Sequence, residues 1–209
     1  MNVTVRGEPL RLLAERAVLL PRLGALLVAD LHVGKAEAFQ RRGVAVPSGV
    51  GQDDIERLSQ VISSSSAQSL WVLGDLVHDQ DALHTSVLQQ LHRRHPSVAL
   101  HVIRGNHDRH VASLPADWGF EEHGDCVELG PFALRHEPVG ETGGPYTLCG
   151  HLHPMARLRG AGDELLLPCF QFGTRLGLLP AFTSWSSGVR VDPRGGRTFV
   201  VAGDTVIEV

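Results

Sequence analysis

Residues 25–32 read ALLVADLH, an apolar run of strand length (Ala25 to Val28) that opens into Asp30 and His32. The pattern recurs along the chain. LWVLGD ends at Asp75, HVIRGNHD at Asn106, His107 and Asp108, FALRH at His136, and YTLCGHLH at His151 and His153. Between the first of these runs lie helical patterns. Val50, Ile55, Leu58, Val61 and Ile62 follow helical spacing, with Ser63 to Ser66 as the frayed end. Asp81 to Arg94 reads as one helix with Leu83, Val87, Leu88 and Leu91 on a face. Strands alternating with helices imply a sheet covered by helices. After residue 120 the texture becomes β-rich: a hairpin turning at Gly130-Pro131, then PYTLCG, ELLLPCF, PAFTSW, RTFVVA and DTVIEV as short strand candidates. The expected fold is α/β, two packed mixed β-sheets flanked by helices (an αββα sandwich), in a single domain over residues 1–209.

Composition narrows the class. The chain has 209 residues, 43% hydrophobic and 20% charged, which argues against wholesale disorder. No stretch approaches the roughly 18 uninterrupted apolar residues of a membrane span. MNVTVRGEPLRLL lacks the layout of a secretory signal, and three cysteines without a CxxC pair suit a reducing compartment, so a cytoplasmic location is expected. Cys126, Cys149 and Cys169 all stand in apolar contexts and read as core residues. A net charge of −4 and a pI near 6.3 exclude a generally cationic nucleic-acid coat, leaving room for a local basic patch. Twelve histidines are the outlier, and imidazole is the commonest metal ligand and proton carrier near neutral pH.

Ligands in open α/β sheets bind beyond the carboxyl ends of strands. Five strands delivering oxygen and nitrogen donors to one edge would build a polyvalent site. Each segment alone also has an ordinary reading: Gly74-Asp75 and Gly105-Asn106 are common turn dipeptides, and a lone His136 is more often a satisfied histidine. Together and in order, the five make the ordinary reading improbable. Aspartate, asparagine and imidazole without thiolate suit manganese, iron, zinc or nickel rather than an iron–sulfur cluster.

The ordered set Asp30-Leu31-His32, Gly74-Asp75, Gly105-Asn106-His107-Asp108, His136 and Gly150-His151-Leu152-His153 resembles the signature of the calcineurin-like metallophosphoesterase superfamily. The resemblance implies the metallophosphoesterase fold and two divalent ions bridged by Asp75. One ion would take Asp30, His32 and His153, the other Asn106, His136 and His151. It makes His107 the general acid for the leaving alkoxide, after attack on phosphorus by metal-activated hydroxide. Asp108 is expected to orient the His107 ring, and His78 is either a donor near the metals or a surface residue.

The segment GKAEAFQRRGVAVPSG (Gly34 to Gly49), with LPCF (Leu167 to Phe170) and LPAF (Leu179 to Phe182), is similar to the bacterial ligase-associated DNA damage response endonuclease group. That resemblance implies a manganese-dependent phosphodiesterase, a DNA endonuclease in repair, linked to a DNA helicase and a DNA ligase. Lys35, Arg41, Arg42 and Arg104 are the candidates for holding substrate phosphates, with Arg109, Arg157 and Arg159 adding local positive charge. An amphipathic helix with Phe39 packed inward accounts for Lys35, Arg41 and Arg42 equally well. No large cap lies between the motifs, which favours a polymer substrate. A homodimer is conceivable, and no membrane partner is expected. The alternatives are a phosphomonoesterase, a phosphodiesterase for cyclic or other small nucleotides, and a non-catalytic scaffold on the same fold.

Overall fold

The computed structural model describes residues 1–140, 144–160 and 163–209. The chain begins with an antiparallel meander, β1 (Asn2–Val5), β2 (Glu8–Leu13), β3 (Ala17–Leu20) and β4 (Ala25–Val28). Helices α1 (Lys35–Arg41) and α2 (Val50–Ser65) lead to β5 (Ser69–Leu73), and α3 (Val87–Arg94) leads to β6 (Ala99–Ile103) and then β7 (Phe120–His123). Strands β4, β5, β6 and β7 are parallel neighbours, so the first sheet runs β1-β2-β3-β4-β5-β6-β7.

The second sheet is built from β8 (Val127–Leu129), β9 (Phe132–Arg135), β10 (Tyr146–Cys149), β11 (Met155–Arg159), β12 (Glu164–Phe172), β13 (Leu176–Leu178), β14 (Arg197–Ala202) and β15 (Thr205–Glu208). Its order is β15-β14-β12-β13-β10-β9-β8, with β11 paired to β12. Here β9, β10 and β13 are parallel and the rest antiparallel. Both sheets are therefore mixed, as expected.

Strand β4 is buried along its whole length because both of its faces are covered. Leu26 and Val28 join Leu70, Val72, Leu100 and Val102 against Ile55, Leu58 and Ile62 of α2 and Leu88 and Leu91 of α3. Ala25 and Leu27 face the other way, into an inter-sheet core with Phe132, Leu134, Tyr146, Phe170 and Phe199. The outer face of β12 and β14 is covered by β11, through Ala156, Cys169 and Val200.

Several local expectations change. The segment 81–94 is not one helix: a 3₁₀ turn (Gln80–His84) is cut from α3 by extended Thr85. PAFTSW is not a strand; only Ala181 bridges to Ala29, and Phe182–Ser184 is instead pinned to α2 by Asp54 and Arg57. Cys149 and Cys169 are buried, but Cys126 lies exposed between β7 and β8.

Candidate metal centre

Strands β4, β5 and β6 of one sheet and β9 and β10 of the other each end at the same rim, and every predicted ligand except His32 and His153 sits within three residues of such an end. The β4–β5 ladder continues past the strands: the Asp30 amide donates to the Gly74 carbonyl (3.1 Å) and the His32 amide to the Asp75 carbonyl (2.8 Å). Five site residues, Asp30, His32, Asp75, His151 and His153, have φ between 46° and 68°. Non-glycine residues avoid this left-handed region, so it persists only where the surroundings over-determine it, as at functional sites. The signature glycines have a packing reason. A Cβ on Gly74 would lie 2.1 Å from His136 Nδ1, and one on Gly105 would lie 2.2 Å from Asp75 Oδ1. Each segment can therefore deliver its ligand only if its neighbour has no side chain.

The seven side chains form two facing sets around Asp75. On one side, His32 Nε2 lies 3.4 Å from His153 Nε2 and 3.7 Å from Asp75 Oδ2, with Asp30 Oδ1 3.6 Å from His153 Nε2. On the other, His136 Nε2 lies 2.9 Å from Asn106 Oδ1, 3.0 Å from His151 Nδ1 and 3.5 Å from Asp75 Oδ1. His151 Nδ1 and Asn106 Oδ1 are 3.1 Å apart. Donors bound to one ion through bonds of about 2.0–2.2 Å stand about 3 Å apart, and these spacings of 2.9–3.7 Å are compatible with ligand sets.

Ring tautomers sharpen the point. His136 Nδ1 donates to the Leu73 carbonyl (3.0 Å) and His153 Nδ1 to the Ser187 carbonyl (2.9 Å). Each Nε2 is then left with a lone pair aimed into the site, where it meets further lone pairs of Asn106, Asp30 and Asp75. Apart from the His107 amide on Asp75 (2.9 Å) and the His151 amide on Asp30 (2.9 Å), these acceptors face one another, and divalent cations are partners that suit them. His32 adds a second sign, since its buried Nδ1 has no hydrogen-bond partner among the described residues. Burial, reinforced by Lys35 and by neighbouring imidazoles, keeps His32 neutral, the form that binds metal. Burial likewise raises the Asp75 carboxyl above its ordinary range, with His136 and the His107 amide opposing. These residues fit two divalent ions with Asp75 between them.

His107 stands at the edge of the cluster, its ring 4.9 Å from His32 and stacked on His78 at 4.9 Å and 24°. Its Nδ1 donates to the His78 carbonyl (2.9 Å), which leaves Nε2 outside that bond. His78 is thus beside the centre rather than on the surface, and burial with the neighbouring His107 and Lys35 lowers its pKa to about 4. The expected pairing of Asp108 with the His107 ring is corrected here. The Asp108 carboxylate is buried and accepts the backbone amides of Gly105 (2.9 Å), Val77 (3.0 Å) and Leu76 (3.3 Å). It ties the loop carrying Asn106 and His107 to the loop carrying Asp75. Removing it strands three amides, so Asp108→Ala is expected to cost about 3–5 kcal/mol. Thermal unfolding of the chelated protein should then fall by about 6–20 °C, at about 2–4 °C per kcal/mol for a chain this size. An unchanged midpoint with lost activity would restore the ring-orienting role.

The candidate phosphate contacts divide. The Arg104 guanidinium is spent on the Asp108, Val111 and Ala112 carbonyls and on Glu122, so it is a loop brace and not a substrate contact. Arg41 pairs with Asp81 (2.7 Å) and Asp79 (3.5 Å), Arg109 with Asp125, and Arg157 and Arg159 with Glu164. Among the described residues, Lys35 and Arg42 have no side-chain hydrogen bond or ion pair. Lys35 lies near the centre: burial lowers its pKa, and Asp30 and Asp75 pull it back up.

Two aromatic residues complete the rim: Trp185, which sequence reasoning passed over as a site residue, and Phe39, which it expected to pack inward. Phe39 is only half-buried and packs edge-on against Trp185 (4.9 Å), 6.0 Å from His78. Trp185 is held there by Asp54 of α2, which accepts the Thr183 hydroxyl (2.8 Å) and the Ser184 amide (3.0 Å). Nothing in the local pattern of TSWSS marks Trp185; its position depends on a contact with a distant helix.

Residues 25–172 match the calcineurin-like phosphoesterase family. Among solved structures, the nuclease MPE of Pseudomonas putida superposes with a TM-score of 0.87 and 32% identity, over 100% of this chain and 99% of that one. Yfce, a phosphoesterase from E. coli, aligns at 17% identity with a TM-score of 0.41, over 87% and 90% of the two chains. A search of functionally curated proteins returned no significant match.

Proposed function

The chain belongs to the calcineurin-like phosphoesterase family, and from that premise we propose that it is a dinuclear-metal phosphodiesterase that cleaves DNA. The family makes it a metal-dependent hydrolase of phosphoesters. The observation that carries the finer reading is the pair of facing lone-pair sets divided by Asp75, joined to full-length likeness with a nuclease. Asp30, His32, Asp75 and His153 would hold one ion and Asp75, Asn106, His136 and His151 the other. A pair of divalent cations supplies Lewis acidity toward the phosphate and acidifies water. Carboxylate, amide and imidazole donors suit manganese, with iron, zinc or nickel as alternatives. His107 offers Nε2 to the departing oxygen. A role in DNA repair beside a helicase and a ligase follows from the resemblance to the ligase-associated group, and a cytoplasmic location from three cysteines without a CxxC pair. No described helix is long and apolar enough to cross a membrane.

The mode of substrate binding follows from the charge inventory. With Lys35 and Arg42 as the unpaired cations among those considered, few phosphates are neutralised by side chains. The slope of log affinity against log salt is expected near −1 to −2, at about −0.7 to −0.9 per phosphate. The deciding experiment is a manganese-supplemented panel of linear, circular and single-stranded DNA, RNA, 2′,3′-cyclic nucleotides and mono- and bis-p-nitrophenyl phosphate. Cleavage of DNA is the expected result. Turnover of the small esters alone would replace this reading by a small-nucleotide phosphodiesterase or a phosphomonoesterase.

Phe39 and Trp185 can supply what charge does not. An exposed aromatic edge beside the centre is a platform on which a base flanking the scissile phosphate can stack, at about 1–3 kcal/mol per base. Trp185→Ala and Phe39→Ala should each raise KM for single-stranded DNA about 5- to 150-fold while leaving bis-p-nitrophenyl phosphate turnover near wild type. Equal losses on both substrates would mean that these rings only support the fold of the rim.

A further inference from the structure

A second cluster of donors lies away from this rim, on the strands themselves. His101 is the middle residue of β6, and Glu121 and His123 belong to its neighbour β7, the edge strand of the first sheet. Register places Glu121 opposite His101, and His123 two residues further on projects to the same face. Their donor atoms converge: His101 Nδ1 is 3.1 Å from His123 Nε2 and 3.3 Å from Glu121 Oε2, and His123 Nε2 is 3.8 Å from Glu121 Oε1.

We propose that His101, Glu121 and His123 form a separate metal site that binds a zinc-like divalent ion and clamps β7 to β6. Three observations support it. Donors on a tetrahedral ion with bonds of about 2.0–2.1 Å stand about 3.3 Å apart, and the three separations bracket that value. The imidazole planes are fixed in advance, because Trp71 of β5 stacks on His101 at 4.0 Å and 17° and on His123 at 5.2 Å and 27°. Exposure is graded as an open site requires: the two imidazole side chains are 15% and 19% exposed and the carboxylate 68%, leaving room for water or an added ligand. Burial also lowers the pKa of His101, more than Glu121 raises it, which favours the neutral ligating form. Two imidazoles and one carboxylate suit zinc, cobalt, nickel or copper, whereas magnesium and calcium prefer oxygen alone. The three residues contribute nothing to the Asp75-centred sets, so this site is independent of the reading given above.

The experiment is a comparison of metal content. Chelated full-length protein is reloaded with zinc, desalted and analysed by mass spectrometry beside Glu121→Gln and His123→Gln. Wild type is expected to hold one ion per chain more than either variant, whatever number the main centre takes. Hydrolysis of bis-p-nitrophenyl phosphate is expected to stay at the wild-type level in both. Glu121 is exposed, so its replacement leaves the fold intact, and the midpoint of the chelated protein verifies this. Anomalous scattering at the zinc edge from wild-type crystals supplies a variant-free reading, with a peak expected between the three side chains. Equal zinc content in wild type and correctly folded variants, or no such peak, overturns the proposal.

Discussion

Replacing Asp75 by Asn is expected to cut phosphodiester hydrolysis by at least about 10³-fold and the metal held by the Asp75-centred sets from two ions per chain to less than one. Asp75 presents one carboxylate oxygen to the Nε2 of each donor set, Oδ2 3.7 Å from His32 and Oδ1 3.5 Å from His136, whereas Asp30 approaches His136 only on its Nδ1 side (3.7 Å). Asn keeps the size and the acceptor oxygen but removes the charge, so it tests the shared carboxylate rather than the space it fills. The loss expected is that of several kcal/mol of charge stabilisation, and about 4 kcal/mol is a factor of 10³. Stability should move the other way in chelated protein. Burial disfavours the ionised Asp75, and nearby Asp30 disfavours it further, so the metal-free fold carries a charge that it is better off without. The chelated variant should therefore unfold no lower than chelated wild type, while manganese raises the midpoint of wild type alone. The Asp75 carboxylate also accepts the His107 amide at 2.9 Å, which Asn can still do through its oxygen. A variant that keeps as many ions as wild type would remove Asp75 from between the two sets.

What the sequence made legible is set by how each contact is built. The seven candidate ligands were readable because each lies just after an apolar strand or two residues from another candidate, and parallel strands bring such ends to one rim without further information. Two mixed sheets were readable from the change in texture near residue 120. By contrast, β1 to β3 went unrecognised, since NVTV and EPLRLL are short and half polar, and their partners are set by a meander. Asp108 and Arg104 were misjudged for a shared reason. Adjacency in sequence to His107 and Asn106 does not say which way a side chain turns, and both turn to the backbone: three amides for Asp108, three carbonyls for Arg104. The aromatic rim was invisible because Phe39 and Trp185 meet only after Asp54 of α2 has captured Ser184. Backbone strain at Asp30, His32, Asp75, His151 and His153 is a property of the folded loops that no residue type announces.

Removing the His107 imidazole should separate binding from proton transfer. His107→Ala is expected to retain the metal content of wild type, because no donor of either set is lost, and to slow DNA cleavage by about 10²–10⁴-fold, the usual worth of a positioned general acid. The geometry already fixes which nitrogen acts. Nδ1–H is held by the His78 carbonyl at 2.9 Å, so the ring presents Nε2 outward and takes its proton there. The stacked His78 ring keeps that orientation, and its own lowered pKa, about 4, makes it a poor proton source near neutral pH. A deoxyribose alkoxide is a strong base and leaves only with a proton, whereas p-nitrophenolate departs as a stable anion. The variant should thus hydrolyse bis-p-nitrophenyl phosphate nearly as well as wild type while failing on DNA. A DNA substrate with sulfur in place of the bridging leaving oxygen should recover most of the loss, since a thiolate departs without help. Slowing of every substrate by one common factor, with no recovery by sulfur, would assign His107 to positioning the phosphate and leave proton delivery to solvent.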